Sequence, residues 1–173
     1  MTVTRYALFE TQLGTCAIAW GERGIVRTLL PEPSAEAVRA RLLRRLPDAS
    51  EAEPPDGVRR IIAQITALLA GEHVDLTWVA LDEDAVPELH RRVYAATRTI
   101  PPGSTLTYGD IARRLGDVTL ARKVGEALGH NPFPIVVPCH RVLGAGGRTG
   151  GFSARGGTET KMQLLRIEGA VLL

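Results

Sequence analysis

The sequence predicts an α/β protein in which an N-terminal β-sheet with helices packs on a mostly helical C-terminal domain. Short β-prone runs separated by glycine turns fill the first 30 residues, an amphipathic helical pattern begins near residue 57, and only helix and loop signals follow Pro87. The length of 173 residues suffices for two small domains packed together. We place the linker at Asp82-Glu83-Asp84, which gives domains at residues 1–82 and 84–173.

The N-terminal domain is predicted to contain three strands followed by two helices. The strands cover residues 5–9, 14–20 and 25–30, and Pro31 and Pro33 end the third. Ser34 is the expected N-cap of a helix that reaches about Leu46. Apolar residues at helical spacing then predict a helix over residues 57–70. Residues 73–81 are expected to form one more strand.

The C-terminal domain is predicted to consist of helices joined by proline and glycine loops. Pro87 suits the first turn of a helix, whose buried stripe comprises Leu89, Val93, Ala96 and Ile100. Two short helices follow, over about 108–115 and 119–129, on either side of a turn at residues 116–118. Their spacing fits a helix-turn-helix motif. The second helix is expected to bury Leu120, Val124, Ala127 and Leu128.

Composition and charge exclude several classes of protein. A net charge of +2 neither demands nor excludes a polyanionic partner, so any basic patch is local. The two cysteines, Cys16 and Cys139, are too few for a disulfide framework, a single bridge between them stays open, and no zinc signature accompanies them. The N-terminus lacks a signal-peptide pattern, and no apolar run approaches the ~20 residues of a membrane span. We expect a cytoplasmic protein without metal or cofactor, and with no membrane partner.

The sharpest chemical feature is the run Asn131-Pro132-Phe133-Pro134-Ile135-Val136-Val137-Pro138-Cys139-His140-Arg141-Val142. A cysteine beside a histidine suggests a thiolate nucleophile. Adjacent residues do not face each other on a helix, so a bridging water is more natural than direct contact between Cys139 and His140. Taken alone, the pair also fits a buried structural cysteine in an apolar run.

The wider pattern resembles the O6-alkylguanine-DNA alkyltransferases, also called methylated-DNA–protein-cysteine methyltransferases. The resemblance covers about residues 87–169. Its central motif is Pro138-Cys139-His140-Arg141-Val142, preceded by Asn131-Pro132 and followed by Gly150-Gly151-Phe152-Ser153. Three earlier motifs extend it: Ile100-Pro101-Pro102-Gly103, Thr107-Tyr108-Gly109 and Ala121-Arg122-Lys123-Val124-Gly125. It implies direct repair of duplex DNA by a single transfer of an alkyl group from O6-alkylguanine to Cys139. It further implies a ribonuclease-H-like layout for the N-terminal sheet, in a supporting role. We expect a monomer, and the sequence leaves cooperative binding along DNA open.

The resemblance assigns catalytic roles to five positions. Cys139 accepts the alkyl group, and His140 takes the thiol proton through a water and passes the charge to Glu168. Asn131 is the hinge between the recognition helix and the active-site turn, and Tyr108 pushes the target phosphate during base rotation. Without the resemblance, Glu168 reads as a surface carboxylate, Asn131 as a helix C-cap and Tyr108 as a half-buried aromatic at a helix start.

The resemblance also implies which residues contact DNA and which line the base pocket. Arg122 is the finger that enters the base stack, although composition alone favours a solvated surface arginine. Gly125 and Gly129 leave a bare helix face that approaches the minor groove closely. The remaining DNA contacts are Ala121, Lys123 and Thr107, and the base pocket is lined by Val142, Phe152, Ser153 and Pro134. A local excess of basic residues should face DNA: Arg113, Arg114, Arg122, Lys123, Arg141, Arg148, Arg155 and Lys161.

Two departures from the family pattern concern the pocket. Phe152 stands where many members have tyrosine, and Ala154-Arg155-Gly156-Gly157 lengthens the loop after Ser153 by about two residues. Three alternatives stay open: an alkyltransferase-like protein that binds damage without repair, a helix-turn-helix regulator, and a Cys–His hydrolase. The first lacks an acceptor cysteine, the second needs base-reading polar side chains, and the third needs an oxyanion site.

Overall fold

The computed structural model describes residues 3–144 and 157–170, and the chain separates into two compact units, Met1–Asp84 and Ala85–Leu173. In the first unit, the three predicted strands are present as β1 (Arg5–Thr11), β2 (Gly14–Gly21) and β3 (Gly24–Leu29), and they form an antiparallel meander. Strand β4 (Ser50–Glu51) extends the sheet on the other side of β1, in parallel, so the strand order is β3-β2-β1-β4. The fold is therefore mixed α/β.

Two helices complete the first unit, and both agree with the sequence prediction. Helix α1 spans Ala35–Arg45, and the Oγ atom of Ser34 accepts a hydrogen bond from the Ala37 N–H as an N-cap. Val38 and Leu42 of α1 are fully buried on the sheet against residues of β1, β2 and β3. Helix α2 spans Asp56–Leu69 and buries one apolar stripe, made of Val58, Ile61, Ile65, Leu68 and Leu69.

The predicted strand over residues 73–81 is wrong. The Asp75 carboxylate accepts a hydrogen bond from the Thr77 N–H, and the Leu76 carbonyl accepts one from the Val79 N–H. These bonds bend the chain, so it reaches the sheet only at Leu81, as an isolated bridge to Ile25. A side chain that bonds the local backbone competes with the ladder of a sheet, and here it prevails.

The second unit is built from helices, as expected. Helix α3 spans Glu88–Thr97, starts after Pro87 and ends before Ile100. Its buried positions are Val93, Tyr94 and Thr97, whereas the predicted Leu89 and Ala96 are only half-buried. The Tyr94 hydroxyl donates to the Ala127 carbonyl at 2.7 Å, so this aromatic side chain is buried with its polar end satisfied.

Two short helices follow α3, separated by a tight turn. Helix α4 spans Tyr108–Arg114, and Gly116 ends it at a φ of 91°, a conformation that favours glycine. A 3-10 turn over Val118–Leu120 leads into helix α5, Ala121–Gly129. Val124, Ala127 and Leu128 are buried as predicted, but Leu120 is half-buried because it lies in the 3-10 turn.

The remaining elements of the second unit bring its loops together. Strand β5 (Leu106–Thr107) pairs in parallel with β6 (Val142–Leu143), with Leu106 opposite Val142. Helix α6 spans Thr158–Ile167 and ends at Glu168. Because the two strands are parallel, the Cys-His-Arg segment that precedes β6 lies at the end of the ladder where β5 begins, and α4 starts at the other end. No helix in the described part of the chain has both the length and the apolar character needed to cross a membrane.

Candidate active site at Cys139

A closed loop between α5 and Cys139 sets the position of the thiol. The Asn131 side chain accepts from the Phe133 N–H and donates to the Val137 carbonyl, both at 2.9 Å. Ile135 adopts a φ of 76°, which is strained for a β-branched residue and persists only where its surroundings demand it. Asn131 therefore acts as an internal clamp that joins the end of α5 to the segment before Cys139.

Cys139 itself begins a 3-10 turn that covers Cys139–Arg141. Pro138 has φ −79° and ψ 66°, and the Cys139 N–H donates to the Val137 carbonyl at 2.7 Å, which is an inverse γ-turn. The thiol-bearing residue is only 6% exposed. Burial raises the pKa of the Cys139 thiol, and a hydrogen bond from Asn131 and the charge of Lys161 oppose this rise.

His140, the residue that follows Cys139, forms a buried pair with Glu168. The His140 Nε2 atom lies 2.8 Å from the Glu168 Oε2 atom, and both side chains are almost inaccessible to solvent. Burial alone would raise the pKa of Glu168. Hydrogen bonds from Arg141 and His140 outweigh burial and lower this pKa to about 2. Glu168 is thus ionised at neutral pH and can only accept, so His140 Nε2 must donate.

The pairing with Glu168 fixes the chemistry of the other ring nitrogen. With its proton on Nε2, a neutral His140 carries a lone pair on Nδ1. Nδ1 is buried, and no hydrogen-bond partner for it lies within residues 3–144 and 157–170. Burial lowers the pKa of His140, and Glu168 opposes that shift. The resting site therefore contains a neutral imidazole with one accepting nitrogen, next in sequence to the thiol.

Two basic residues of the site were assigned to the DNA surface by the sequence analysis, and both assignments are wrong. Arg141 is 5% exposed and Lys161 is 1% exposed, so neither can lie on a solvent-exposed face. Lys161 donates from Nζ to the Val142 carbonyl at 2.7 Å, and burial lowers its pKa to about 8. The sequence contains a pattern that predicts the burial of Lys161, because this residue shares one helical face with Leu164, Leu165 and Glu168.

Tyr108 lies at the start of α4 with its ring facing α5. The Thr107 side chain caps α4 by accepting from the Asp110 N–H, and the Asp110 carboxylate accepts from the Thr107 N–H in return. A Cβ atom at Gly125 would lie 3.9 Å from the Tyr108 ring, so the glycine permits close approach. Burial, and then the charge of Cys139, raise the pKa of Tyr108.

The outer face of α5 carries the predicted DNA-binding residues. The Arg122 side chain is 93% exposed, and its only described ion pair is a long one of 3.9 Å to Glu126. Lys123 is exposed, and Ala121 is half-buried. A surface cavity of about 550 Å³ lies between α4 and the start of α5, lined by Thr107, Tyr108, Gly109, Asp110, Arg113, Ala121 and Arg122. The structure therefore brings Thr107, Tyr108, Ala121 and Arg122 to one concave surface.

The predicted pocket residues divide into two groups. Val142 is fully buried next to the 3-10 turn, and Pro134 is half-buried in the loop before it. Phe152 and Ser153 lie outside the described residues, as do Arg148 and Arg155. Within the described ranges, no group of three or more histidine, cysteine, aspartate or glutamate side chains is placed to hold a metal ion.

Comparison with known proteins identifies the family. Residues 88–170 match the family described as 6-O-methylguanine DNA methyltransferase, DNA binding domain. The methylated-DNA–protein-cysteine methyltransferase of Methanothermobacter thermautotrophicus is 35% identical over 155 residues, which are 90% of this chain and 80% of that protein. The protein of the same name from Methanosarcina acetivorans is 33% identical over 165 residues, covering 95% and 98% of the two chains.

The fold comparison gives the same family over nearly the whole chain. The crystal structure of Mycobacterium tuberculosis OGT in complex with DNA matches with a TM-score of 0.76 and 31% identity, covering 95% of this chain and 92% of that one. The crystal structure of the O6-methylguanine-DNA methyltransferase of Pyrococcus kodakaraensis matches with a TM-score of 0.73 at 26% identity. From its sequence relatives and its fold alike, this chain belongs to the methylated-DNA–protein-cysteine methyltransferase family.

Proposed function

We propose that this protein repairs DNA directly by transferring an alkyl group from the O6 atom of guanine to Cys139, once per molecule. The observation that carries the proposal is the buried His140–Glu168 pair, in which His140 directly follows Cys139 in the chain and keeps its Nδ1 lone pair to accept a proton. The activity named for the curated relatives agrees with it. The substrate is duplex DNA containing O6-alkylguanine, and no cofactor is required.

The transfer is a displacement at the alkyl carbon. The thiol proton of Cys139 passes through a water to His140 Nδ1, and the imidazolium that forms is stabilised by the Glu168 carboxylate 2.8 Å away. The sulfur then bonds to the alkyl carbon as the bond from that carbon to O6 breaks. The electron pair of that bond stays on guanine, which takes up one proton from solvent while His140 returns its proton to solvent, so the net proton count is unchanged. The protein is left with S-alkylcysteine, a thioether.

The burial of Cys139 requires that the base leave the duplex. A thiol that is 6% exposed cannot reach an O6 atom inside the base stack, so the damaged nucleotide must rotate into the protein, at a cost of a few kcal/mol. We infer that α4, its following turn and α5 act as a helix-turn-helix whose α5 face enters the minor groove. Arg122 would then fill the vacated place in the stack, and Tyr108 would contact the rotated phosphate. The exposed Arg122 and the cavity beside Tyr108 support these roles.

The DNA contacts are expected to be independent of sequence. Lys123 and Thr107 would contact the backbone, while Ala121 and Gly125 provide a small-residue surface against the groove. Asn131 would couple α5 to the thiol, since its side chain bonds both ends of the intervening loop. Val142 and Pro134 would line the base pocket, with Phe152 and Ser153 completing it. The solved complex of Mycobacterium tuberculosis OGT with DNA supports DNA as the partner.

The first unit is proposed to have a supporting role. Its sheet order, with β4 added in parallel beside an antiparallel meander, supports a ribonuclease-H-like layout. Its cysteine, Cys16, is buried, and burial raises the pKa of that thiol to about 11, so it is a poor nucleophile. We propose that residues 84–173 carry both catalysis and DNA binding. We further propose a cytoplasmic monomer that can bind cooperatively along DNA.

Mass spectrometry after exposure to an O6-methylguanine duplex tests this proposal. A single methyl group on the peptide that contains Cys139, with Cys16 unmodified, is the expected result. Unmodified protein bound tightly to the damaged duplex would indicate a damage-binding protein without repair. Cleaved substrate and unmodified protein would indicate a Cys–His hydrolase, and equal binding to any duplex without repair would indicate a regulator. Each of the last three outcomes contradicts the proposed transfer.

A further inference from the structure

Arg141 is a buried charge next to the relay that the transfer chemistry leaves without a role. Its guanidinium donates from Nε to Glu168 Oε1 at 2.9 Å and from Nη2 to Glu168 Oε2 at 2.8 Å. A third donor, Nη1, bonds the Ile100 carbonyl at 2.6 Å. Three nitrogens of one rigid plane are therefore committed to a carboxylate and to a fixed backbone oxygen.

The guanidinium fork determines the orientation of the Glu168 carboxylate. Two parallel hydrogen bonds from one plane to both oxygens fix the carboxylate in that plane, which a single donor cannot do. The bond to Ile100 anchors the guanidinium itself, so it cannot follow a rotation of Glu168. Oε2, which also bonds the Nε2 atom of His140, is thereby held on the histidine side.

The same contacts fix the ring of His140. Glu168 accepts from His140 Nε2 only while it is ionised, and the buried carboxyl group is kept ionised mainly by its hydrogen bonds to Arg141. With Nε2 donating, the lone pair remains on Nδ1, the nitrogen that has to accept the proton of Cys139. A rotated or protonated Glu168 would release the ring to the other tautomer, in which Nδ1 carries a proton.

We propose that Arg141 is a positioning residue for alkyl transfer, which acts on His140 by holding the orientation and the charge of Glu168. The inference rests on the proposed function and deepens it, since Arg141 touches neither the thiol proton nor the alkyl group. This role of Arg141 differs from a general contribution to protein stability, because it determines which nitrogen of His140 accepts a proton.

The test compares Arg141→Lys with wild type in single-turnover transfer from an O6-methylguanine duplex across a pH series. Lysine keeps the buried positive charge but loses the fork. We expect the rate at neutral pH to fall about tenfold or more, as for a misplaced catalytic group. The acid limb of the profile of transfer rate against pH should move up by about one pH unit, because Glu168 loses hydrogen bonds that favour its charged form. Duplex affinity should not change.

The matched control is Arg166→Lys, the same substitution at an exposed position of α6. It should leave both the rate and the pH profile at wild-type values. A slower Arg141→Lys variant with an unshifted acid limb and a lower melting temperature would reduce Arg141 to a structural residue and overturn the proposal. Wild type that transfers no alkyl group would instead contradict the proposed function.

A second measurement does not depend on any variant being folded. Nitrogen-15 NMR of the wild-type protein reports which ring nitrogen of His140 carries the proton. The proposal requires a protonated Nε2 and an unprotonated Nδ1 at neutral pH, persisting down to the acid limb of the transfer rate. A neutral His140 with its proton on Nδ1 would overturn it whatever the behaviour of the variants.

Discussion

Replacement of Glu168 by glutamine tests the buried charge network through stability. The pKa of Glu168 is lowered from 4.5 to about 2 in the folded protein. A lowering of this size corresponds to about 3 kcal/mol of stability at neutral pH. Because the folded pKa lies below the unfolded one, this stability is present above pH 4.5 and is lost as the pH falls through about 2. We therefore expect Glu168→Gln to be less stable by about 3 kcal/mol at neutral pH.

The glutamine variant also places a donor where an acceptor is needed. If its oxygen faces Arg141, its amide nitrogen points at His140 Nε2, and one of the two donors there loses its partner. The measurement is urea unfolding followed by far-ultraviolet circular dichroism, fitted with a transition for each unit. Tryptophan fluorescence is unsuitable, because Trp20 and Trp78 both lie in the first unit.

The control and the pH dependence make the stability result decisive. Glu159→Gln removes an exposed carboxylate in the first turn of α6, where the expected change is below about 1 kcal/mol. The difference between wild type and Glu168→Gln should shrink as the pH falls from 5 towards 2. A Glu168→Gln variant as stable as wild type at neutral pH, or a loss that does not change on acidification, would refute the charge network.

Three further predictions concern the reaction itself. Cys139→Ser should abolish transfer but retain duplex binding, because a hydroxyl is a far poorer nucleophile than a thiolate; transfer near the wild-type rate would remove Cys139 from the mechanism. Arg122→Ala should impair repair of duplex DNA more than reaction with free O6-benzylguanine, which needs no base flipping; equal losses would give Arg122 another role. His140→Ala and Glu168→Gln should each raise the apparent pKa of Cys139, measured from iodoacetamide alkylation rates against pH, because each side chain favours the thiolate; an unchanged profile would contradict the relay.

Much of the fold was predictable because its signals are local. The first three strands, α1 and α2 follow from β-prone runs, the Ser34 cap and one apolar stripe, all of which depend on near neighbours. Strand β4 was not predicted, since Ser50 and Glu51 are polar and pair only because the chain after α1 returns alongside β1. The error at residues 73–81 arose because Asp75 bends a segment of strand-like composition.

The site was predictable as a motif but not as an electrostatic structure. The residues from Asn131 to His140, together with Glu168, came from a resemblance, and the structure adds the geometry that joins them. The burial of Arg141 and Lys161 was missed because isolated charged residues are expected at the surface. Arg141 has no periodic pattern that signals burial, and its environment depends on Ile100 and Glu168, which are far away in sequence. Long-range pairing of this kind is what a sequence reveals least.

The central claim is that the protein is consumed by one reaction, and the stoichiometry of repair tests it most directly. The product thioether is a poor leaving group, and the unit that carries Cys139 contains no second cysteine to reverse the transfer. The protein is mixed with about a tenfold excess of O6-methylguanine duplex, and repaired sites are counted to completion. A burst of one repaired site per molecule, with no later turnover, is the predicted result. Repair clearly exceeding one site per molecule would show catalytic turnover and contradict the account.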